Sequence, residues 1–276
     1  MRFDLRYPWE RKRSARLLRD LTVGLHAHLG AHAIFEIGAW EAAFSRAVRA
    51  KAPDARIYAF EANPHNFERF GHDPELARLG IRYLNRAISD RSGPIEFLLQ
   101  TKKGASEETV SLTAKSNSLL RQSRPGEYRA VTVEASSLED FIAAEKLVGV
   151  PSTAWIDVEG AVGQVLTGMG ECIDQFQLLH CEVEEAEMWV GQWTSDRVFD
   201  WLEARGFVAV ARDFERPQQF NVLFLRKEVA AMPSVRAALA EHFSQLEKAP
   251  RQWHRAHSWL AGIRSGLRSM KRRVRR

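Results

Sequence analysis

The stretch Ala154-Trp155-Ile156-Asp157-Val158-Glu159-Gly160 decides how this chain reads. An apolar strand stops on two carboxylates and a glycine before a helical pattern begins, the form of a βα unit whose strand tip borders a ligand cleft. Two earlier stretches share that form. Ala33-Ile34-Phe35-Glu36-Ile37-Gly38 ends in acid plus glycine. Arg56-Ile57-Tyr58-Ala59-Phe60-Glu61 ends in an acid about 20 residues later, the spacing at which a nucleotide-like ligand crosses successive parallel strands.

Working outward, Leu17, Leu18, Leu21, Leu25 and Leu29 recur at helical spacing and Gly30 offers a stop, so residues 1–30 read as a basic leading segment and helix. Strands at 33–38, 56–61 and 81–88 then alternate with helices at about 40–51 and 64–79. A second half carries strands at 94–100, 129–136, 153–158 and 176–184, with helices at 137–147, 161–171 and 194–205. Strands at 207–213 and 219–226 form a closing hairpin that adds an antiparallel edge. The expected fold over 31–228 is α/β: a Rossmann-like, mostly parallel sheet with helices on both faces and a terminal antiparallel hairpin. The polar stretch 101–128 is long for a connection, and reads as a hairpin arm or a lid.

The formal net charge of +5 divides unevenly along the chain. Residues 251–276 hold nine Lys/Arg and no acid, and residues 1–19 hold seven against two acids, leaving 24 Lys/Arg against 33 Asp/Glu over 20–250. The basic character belongs to the ends, which argues against a nucleic-acid-binding face on the folded part. No apolar run is long enough to span a membrane, and the start lacks a signal-peptide core, so a cytoplasmic protein is expected. Cys172 and Cys181 are too few for a disulfide framework or a zinc site and are expected to be reduced.

The turn Gly38-Ala39-Trp40-Glu41-Ala42 lacks the G-x-G-x-x-G that brings a pyrophosphate onto a helix N-terminus, so a nicotinamide oxidoreductase is disfavoured. One glycine for close ligand approach and an acid at the second strand end, able to accept both hydroxyls of a ribose, suit S-adenosylmethionine. The ordered series Glu36-Ile-Gly-Ala-Trp-Glu, Ala59-Phe-Glu-Ala-Asn-Pro64, Asn85-Arg-Ala-Ile-Ser-Asp90, Ser116-Asn-Ser-Leu-Leu120, Ser137-Leu-Glu-Asp-Phe-Ile142 and Ile156-Asp-Val-Glu-Gly-Ala161 resembles the FkbM family of S-adenosylmethionine-dependent methyltransferases over residues 33–226.

The resemblance implies a class I methyltransferase fold with a seven-stranded sheet, and O-methylation of a sugar, glycolipid or natural-product hydroxyl. It places Glu36, Gly38 and Ala39, with Trp40 in the same turn, at the amino-acid end of the cofactor. Glu61 and the adjoining Ala62 fall at the ribose, and Asn85 and Ala87 beside the adenine. Asp157 and Glu159 face the methyl group and the acceptor, with Glu182 on the next strand. Glu36, Trp40, Ala42, Trp155 and Val162 stand where the family usually has Asp, Asn, Gly, Lys and Glu. The last two remove a cation and an acid next to the expected reaction centre.

Methyl transfer to a hydroxyl needs positioning and a base or metal. Asp157 and Glu159 lie on one side of an extended strand, and Glu182 and Glu184 repeat the spacing, so four acids in a small volume would favour Mg²⁺ or another hard cation. The plainer reading has Glu159 capping the next helix and Glu184 and Glu185 solvated. His180, inside an apolar strand, reads as a core histidine. Met188, Trp189 and Trp193 wall an acceptor pocket or pack the core. Trp253, Ala256, Leu260, Ile263, Leu267, Met270 and Val274 make a heptad stripe among basic residues within the tail 229–276. Such a helix suits an anionic membrane surface, giving a peripheral place on the inner face, or an acidic protein partner. A second functional reading, an assembly module that binds cofactor weakly, stands beside the enzyme.

Overall fold

A computed structural model of the chain describes residues 7–101 and 117–248. The heptad stripe of the tail and residues 102–116 of the polar stretch lie outside the described residues. In chain order come α1 (Pro8–Leu25), β1 (Ala33–Ile37), α2 (Ala43–Arg49), β2 (Arg56–Glu61), α3 (Pro64–Phe70), α4 (Pro74–Arg78), β3 (Ile81–Asn85), β4 (Ala87–Ile88), β5 (Gly93–Thr101) and β6 (Glu127–Ser136). There follow α5 (Leu138–Ala144), β7 (Ser152–Ile156), α6 (Val162–Thr167), a 3₁₀ turn (Gly170–Gln175), β8 (Phe176–Glu184), α7 (Ser195–Glu203), β9 (Phe207–Arg212), β10 (Gln219–Arg226), α8 (Lys227–Ala230) and α9 (Pro233–Glu247).

The large sheet has seven strands in the order β3-β2-β1-β7-β8-β10-β9. Its strand order reverses between β1 and β7, which opens a crevice beyond their carboxyl ends. This is the mostly parallel, doubly wound sheet expected from the sequence. The antiparallel strand is not its edge, however. β10 inserts between β8 and β9, running from Gln219 opposite Glu184 to Leu225 opposite Leu178, and leaves the parallel strand β9 outermost.

Both faces of the central strands are buried, which is why they read as unbroken apolar runs. Phe35, Ile37, Tyr58, Phe60, Ala154 and Ile156 pack with Phe141 of α5 and Val165 of α6 on one side. On the other, Ile34, Ile57 and Ala59 meet Phe44 and Val48 of α2. At about 1.5–3 kcal/mol for each fully buried large side chain, this core dominates the folding energy. Leu18, Leu21 and Leu25 of α1 pack with Leu178, Leu223, Leu225 and Val235 of α9 over the β8–β10 side. Arg13 caps α9 by donating to the carbonyls of Gln245, Leu246 and Lys248.

The strand expected at 81–88 breaks at Arg86. β3 stays in the large sheet, while β4 crosses to a separate three-stranded sheet, β4-β6-β5. That sheet has its own core, in which Ile95, Phe97 and Leu99 meet Val133, Ala135 and Ala87. Strands expected at 94–100 and 129–136 therefore leave the main sheet. The helix expected at 64–79 is two helices, because Asp73 repeats the start signal that Asn63 gives: Asn63 Oδ1 accepts from His65 N at 2.9 Å, Asp73 Oδ1 from Glu75 N at 2.9 Å, and each precedes a proline.

Candidate active site

The turn after β1 sets the floor of the crevice. Gly38 has φ +84°, and its N–H donates to Phe60 O at 3.0 Å. A Cβ there would stand 1.8 Å from the carbonyl oxygen of Asp157. The close meeting of the β1 and β7 tips is thus a reason for the glycine beside the ligand approach expected from the sequence, and Gly38 also borders the cavity described next. Trp40 (φ +44°) and Ala42 (φ +57°) are also left-handed, which delays the start of α2 to Ala43. Glu36 lies beneath this turn, accepting from Phe44 N at 3.1 Å and Ser45 N at 2.8 Å, so it caps α2. Burial pushes its pKa up to about 7 against those two bonds. Glu36 and the buried Ala39 do not line the cavity, and their expected cofactor contacts are corrected to scaffold roles.

A cavity of about 360 Å³ opens beyond the strand tips, lined by Gly38, Trp40, Glu61, Ala62, Ala87, Asp157, Glu159 and Glu182 among the expected residues. Glu61 closes its first end: one carboxylate oxygen accepts from Trp40 N and the other from Asn63 N, both at 2.8 Å. The Asn66 side chain adds a third bond, which leaves about one lone pair of the carboxylate for a ligand hydroxyl. Asn66 lies beside it, 4 % exposed, with its Oδ1 buried and without a partner. Asn85 is exposed and ties β3 to β2 through Glu61 O at 2.8 Å; it does not line the cavity, so its expected adenine contact is also corrected.

At the other end, carboxylate oxygens of Asp157, Glu159 and Glu182 lie within 4.8 Å of one another. Burial, then the negative charge of Asp157, raises the pKa of Glu159 to about 8. Burial and the surrounding acids hold Glu182 well above the usual carboxylate range, helped by a hydrogen bond in which it and Asp157 share a proton. Glu159 has φ +49°, and Ser118 Oγ holds that backbone by donating to its carbonyl at 2.7 Å. Ser118 belongs to the Ser116–Leu120 motif of the sequence, which by itself assigns it no role. The β9–β10 loop closes this end with Asp213, Glu215 and Arg216, and the start of β10 with Gln219 and Asn221, none of which the sequence reading singled out. The signal was topological: the start of an antiparallel strand lies at the same edge as the tips of its parallel neighbours.

Several expectations move away from the site. Glu184 is not solvated but fully buried, accepting from Gln192 Nε2 at 2.8 Å and Gln219 Nε2 at 3.2 Å, and it does not line the cavity. Trp189 packs where a Cβ on Gly160 would come within 2.7 Å of its ring, and Trp193 does the same for Gly163 at 2.5 Å. They fix the β7–α6 turn rather than walling the acceptor. Trp155 stacks on His180 at 3.5 Å and on Phe44 at 5.0 Å, and does not line the cavity. Val162 is core. His180 is a core residue as expected, its Nδ1 2.9 Å from Thr22 Oγ1.

A family model described as the methyltransferase FkbM domain matches residues 28–209. The 2-O-methyltransferase NoeI of Sinorhizobium fredii (strain NBRC 101917 / NGR234) is 26% identical over 194 residues, covering 69% of this chain and 77% of that protein. Among solved structures, the methyltransferase FkbM from Methylobacillus flagellatus KT aligns at 10% identity and TM-score 0.41, over 71% of this chain and 44% of its own. A Burkholderia thailandensis 1,6-didemethyltoxoflavin-N1-methyltransferase with bound S-adenosylhomocysteine aligns at 13% and 0.39, over 76% and 78%.

Proposed function

The chain belongs to the FkbM methyltransferase family and is an S-adenosylmethionine-dependent methyltransferase, and from that premise we propose that it methylates a hydroxyl of a sugar or glycolipid-like acceptor. The observation that carries this reading is one continuous cavity joining a ribose-binding end, Glu61 and Asn66, to the three converging carboxylates. The unpartnered Asn66 Oδ1 and the remaining lone pair of Glu61 are acceptors in want of hydroxyl donors, so these residues fit the cofactor. When bound, the sulfonium supplies an electrophilic methyl group.

The chain's own part is positioning and proton removal. Asp157, fixed by its N–H bond to Ile37 O at 2.9 Å, orients the hydroxyl at the junction of the two ends. Its pair with Glu182 already holds one proton, and Glu159 takes the proton that the hydroxyl loses. Isothermal calorimetry with S-adenosylhomocysteine tests the first half: wild type binds and Glu61→Ala loses about tenfold or more. A folded wild-type protein with no affinity refutes the reading.

The alternative counter-charge is a divalent cation held by the same three carboxylates. Activity that survives EDTA favours the proton, and activity that only Mg²⁺ restores favours the metal. No helix of the described residues is long and apolar enough to cross a membrane. The basic heptad segment 251–276 is proposed to dock on anionic lipid; equal liposome flotation with and without it would remove that idea.

A further inference from the structure

In the wall of the acceptor end, one amide decides how a carboxylate is presented. Asp213 borders the cavity, itself 1 % exposed, and its Oδ2 accepts from Asn221 Nδ2 at 2.8 Å. That bond needs the nitrogen of Asn221, and not its oxygen, to point at Asp213. The two ends of an amide are nearly the same in shape, so a neighbouring group has to fix its sense.

That group lies behind Asn221, on β8. Asn221 stands opposite Glu182 and Leu223 opposite His180, which makes Asn221 and His180 diagonal neighbours on one face of the β8–β10 pair. Their side chains adjoin, and among the described residues Asn221 Oδ1 and His180 Nε2 are buried with no partner besides each other. His180 is 1 % exposed and burial keeps its ring neutral, so one ring nitrogen carries a hydrogen and the other a lone pair. With the hydrogen on Nδ1, it goes to Thr22 Oγ1 at 2.9 Å, and a nitrogen lone pair then faces the Asn221 oxygen, two bare acceptors in the core. With the hydrogen on Nε2, the Thr22 hydroxyl donates to Nδ1 and Nε2–H donates to Asn221 Oδ1, so the whole row is satisfied. Thr22 Oγ1 also lies 2.9 Å from Leu18 O, but that carbonyl is inside α1 and has its helical partner already.

We propose that His180 is a positioning residue for the methyl acceptor, its Nε2–H fixing the Asn221 amide so that the amide nitrogen holds the Asp213 carboxylate in place to receive an acceptor hydroxyl. Without the ring's donor the amide is free to turn, and an oxygen facing Asp213 would drive the carboxylate off or force a proton onto it. This rests on the reading of the cavity as a hydroxyl-methylating site.

The first test is the tautomer. Long-range proton–nitrogen correlation NMR on the full chain, with isotope-labelled histidine and His180→Gln to identify the ring by its lost signals, is expected to show hydrogen on Nε2 at about pH 7. Hydrogen on Nδ1 overturns the proposal. The second test uses methyl-tritiated S-adenosylmethionine with methyl glycosides of neutral hexoses. His180→Phe should raise the acceptor KM about tenfold while S-adenosylhomocysteine affinity stays within about twofold, and His180→Gln, whose amide nitrogen replaces the Nε2 donor, should restore most of the loss. Adding His180→Phe to Asp213→Asn should then cost nothing further, because the carboxylate served by the ring is gone. A loss that follows cofactor affinity as closely as acceptor KM, that Gln does not relieve, or that adds in full to Asp213→Asn gives His180 a packing role alone and overturns the proposal. Label in no glycoside removes hydroxyl methylation, and the tautomer, read in wild type, then decides the row by itself.

Discussion

Replacing Gly38 by alanine separates two reasons for a glycine at this turn. At φ +84°, alanine carries a left-handed backbone penalty of roughly 1 kcal/mol. The added methyl would also stand 1.8 Å from Asp157 O and 2.8 Å from the carbonyl carbon, and neither strand is free to yield. Gly38 N and Ala39 N are bonded to Phe60 O at 3.0 and 2.8 Å, and Asp157 N to Ile37 O at 2.9 Å. Opening the β1–β7 tips breaks the last of these, a loss of about 1 kcal/mol, and adds overpacking strain of about 1–3 kcal/mol. Gly38→Ala should therefore lose about 3–5 kcal/mol, a large share of a typical domain's 5–15 kcal/mol. Urea unfolding read by tryptophan fluorescence gives the difference from the midpoint and slope. Were the glycine needed for cofactor approach alone, the variant would unfold within about 1.5 kcal/mol of wild type and lose only S-adenosylhomocysteine affinity. That outcome would refute the packing argument.

Asp157→Asn should retain S-adenosylhomocysteine affinity within a few fold and lower kcat by about 10²–10⁴, read as tritium transfer; an equal loss in binding would move Asp157 from the chemistry to the cofactor. Glu159 titrates with a pKa raised from 4.5 to about 8, so below 4.5 both folded and unfolded chains hold its proton, and between the two values the folded chain alone holds it. Its contribution to stability is therefore lost as pH rises through that window, and Glu159→Gln should gain on wild type from pH 5 to 9 by on the order of 4 kcal/mol. Parallel urea midpoints for the two proteins across that range would sink the assignment. The same titration makes methyl transfer rise with pH up to about 8, where a kcat/KM–pH profile should level. Trp189→Ala should destabilise by about 3–5 kcal/mol through the cavity left over Gly160, and unchanged thermal unfolding would contradict its core placement.

The central strands were legible in the sequence because burial on both faces leaves continuous apolar runs, and Glu36, Glu61 and Asp157 at their ends marked the edge where a site forms. The second sheet was not, although Ile95, Phe97 and Leu99 alternate as a one-faced strand does, because strand pairing is set by distant residues and not by pattern. The cofactor turn misled for a local reason. A glycine and an acid after a strand look the same whether they face a ligand or the scaffold; here Gly38 borders the cavity and meets Asp157 O as well, while Glu36 turns to the N–H groups of α2. The acids Asp157, Glu159 and Glu182 were found because strand-end position alone brings them together; Arg216, Gln219 and Asn221 were missed because their place depends on β10 inserting beside β8.

The departures from the resembled family take on a different meaning once they are placed. Trp155, standing where that family usually has lysine, lies opposite Glu36 on one side and His180 on the other in the sheet register. Its ring fills the face toward α1 and α2, between Phe44 and His180, while Thr22 and Thr153 engage His180 and His26 at 2.9 Å each. Burial depresses His180 to about 3 and His26 to about 4, so both rings are neutral and the tryptophan has no cation to replace. A lysine ammonium in that position would have been a counter-charge for Glu36; without one, burial dominates and Glu36 rises to about 7. The substitution therefore acts on the scaffold beneath the β1 turn and leaves the carboxylates at the acceptor end as they are. The other polar border of the cavity is the β9–β10 loop with the start of β10, and that loop is anchored by Phe214 N–H donating to Ser14 Oγ of α1 at 2.9 Å.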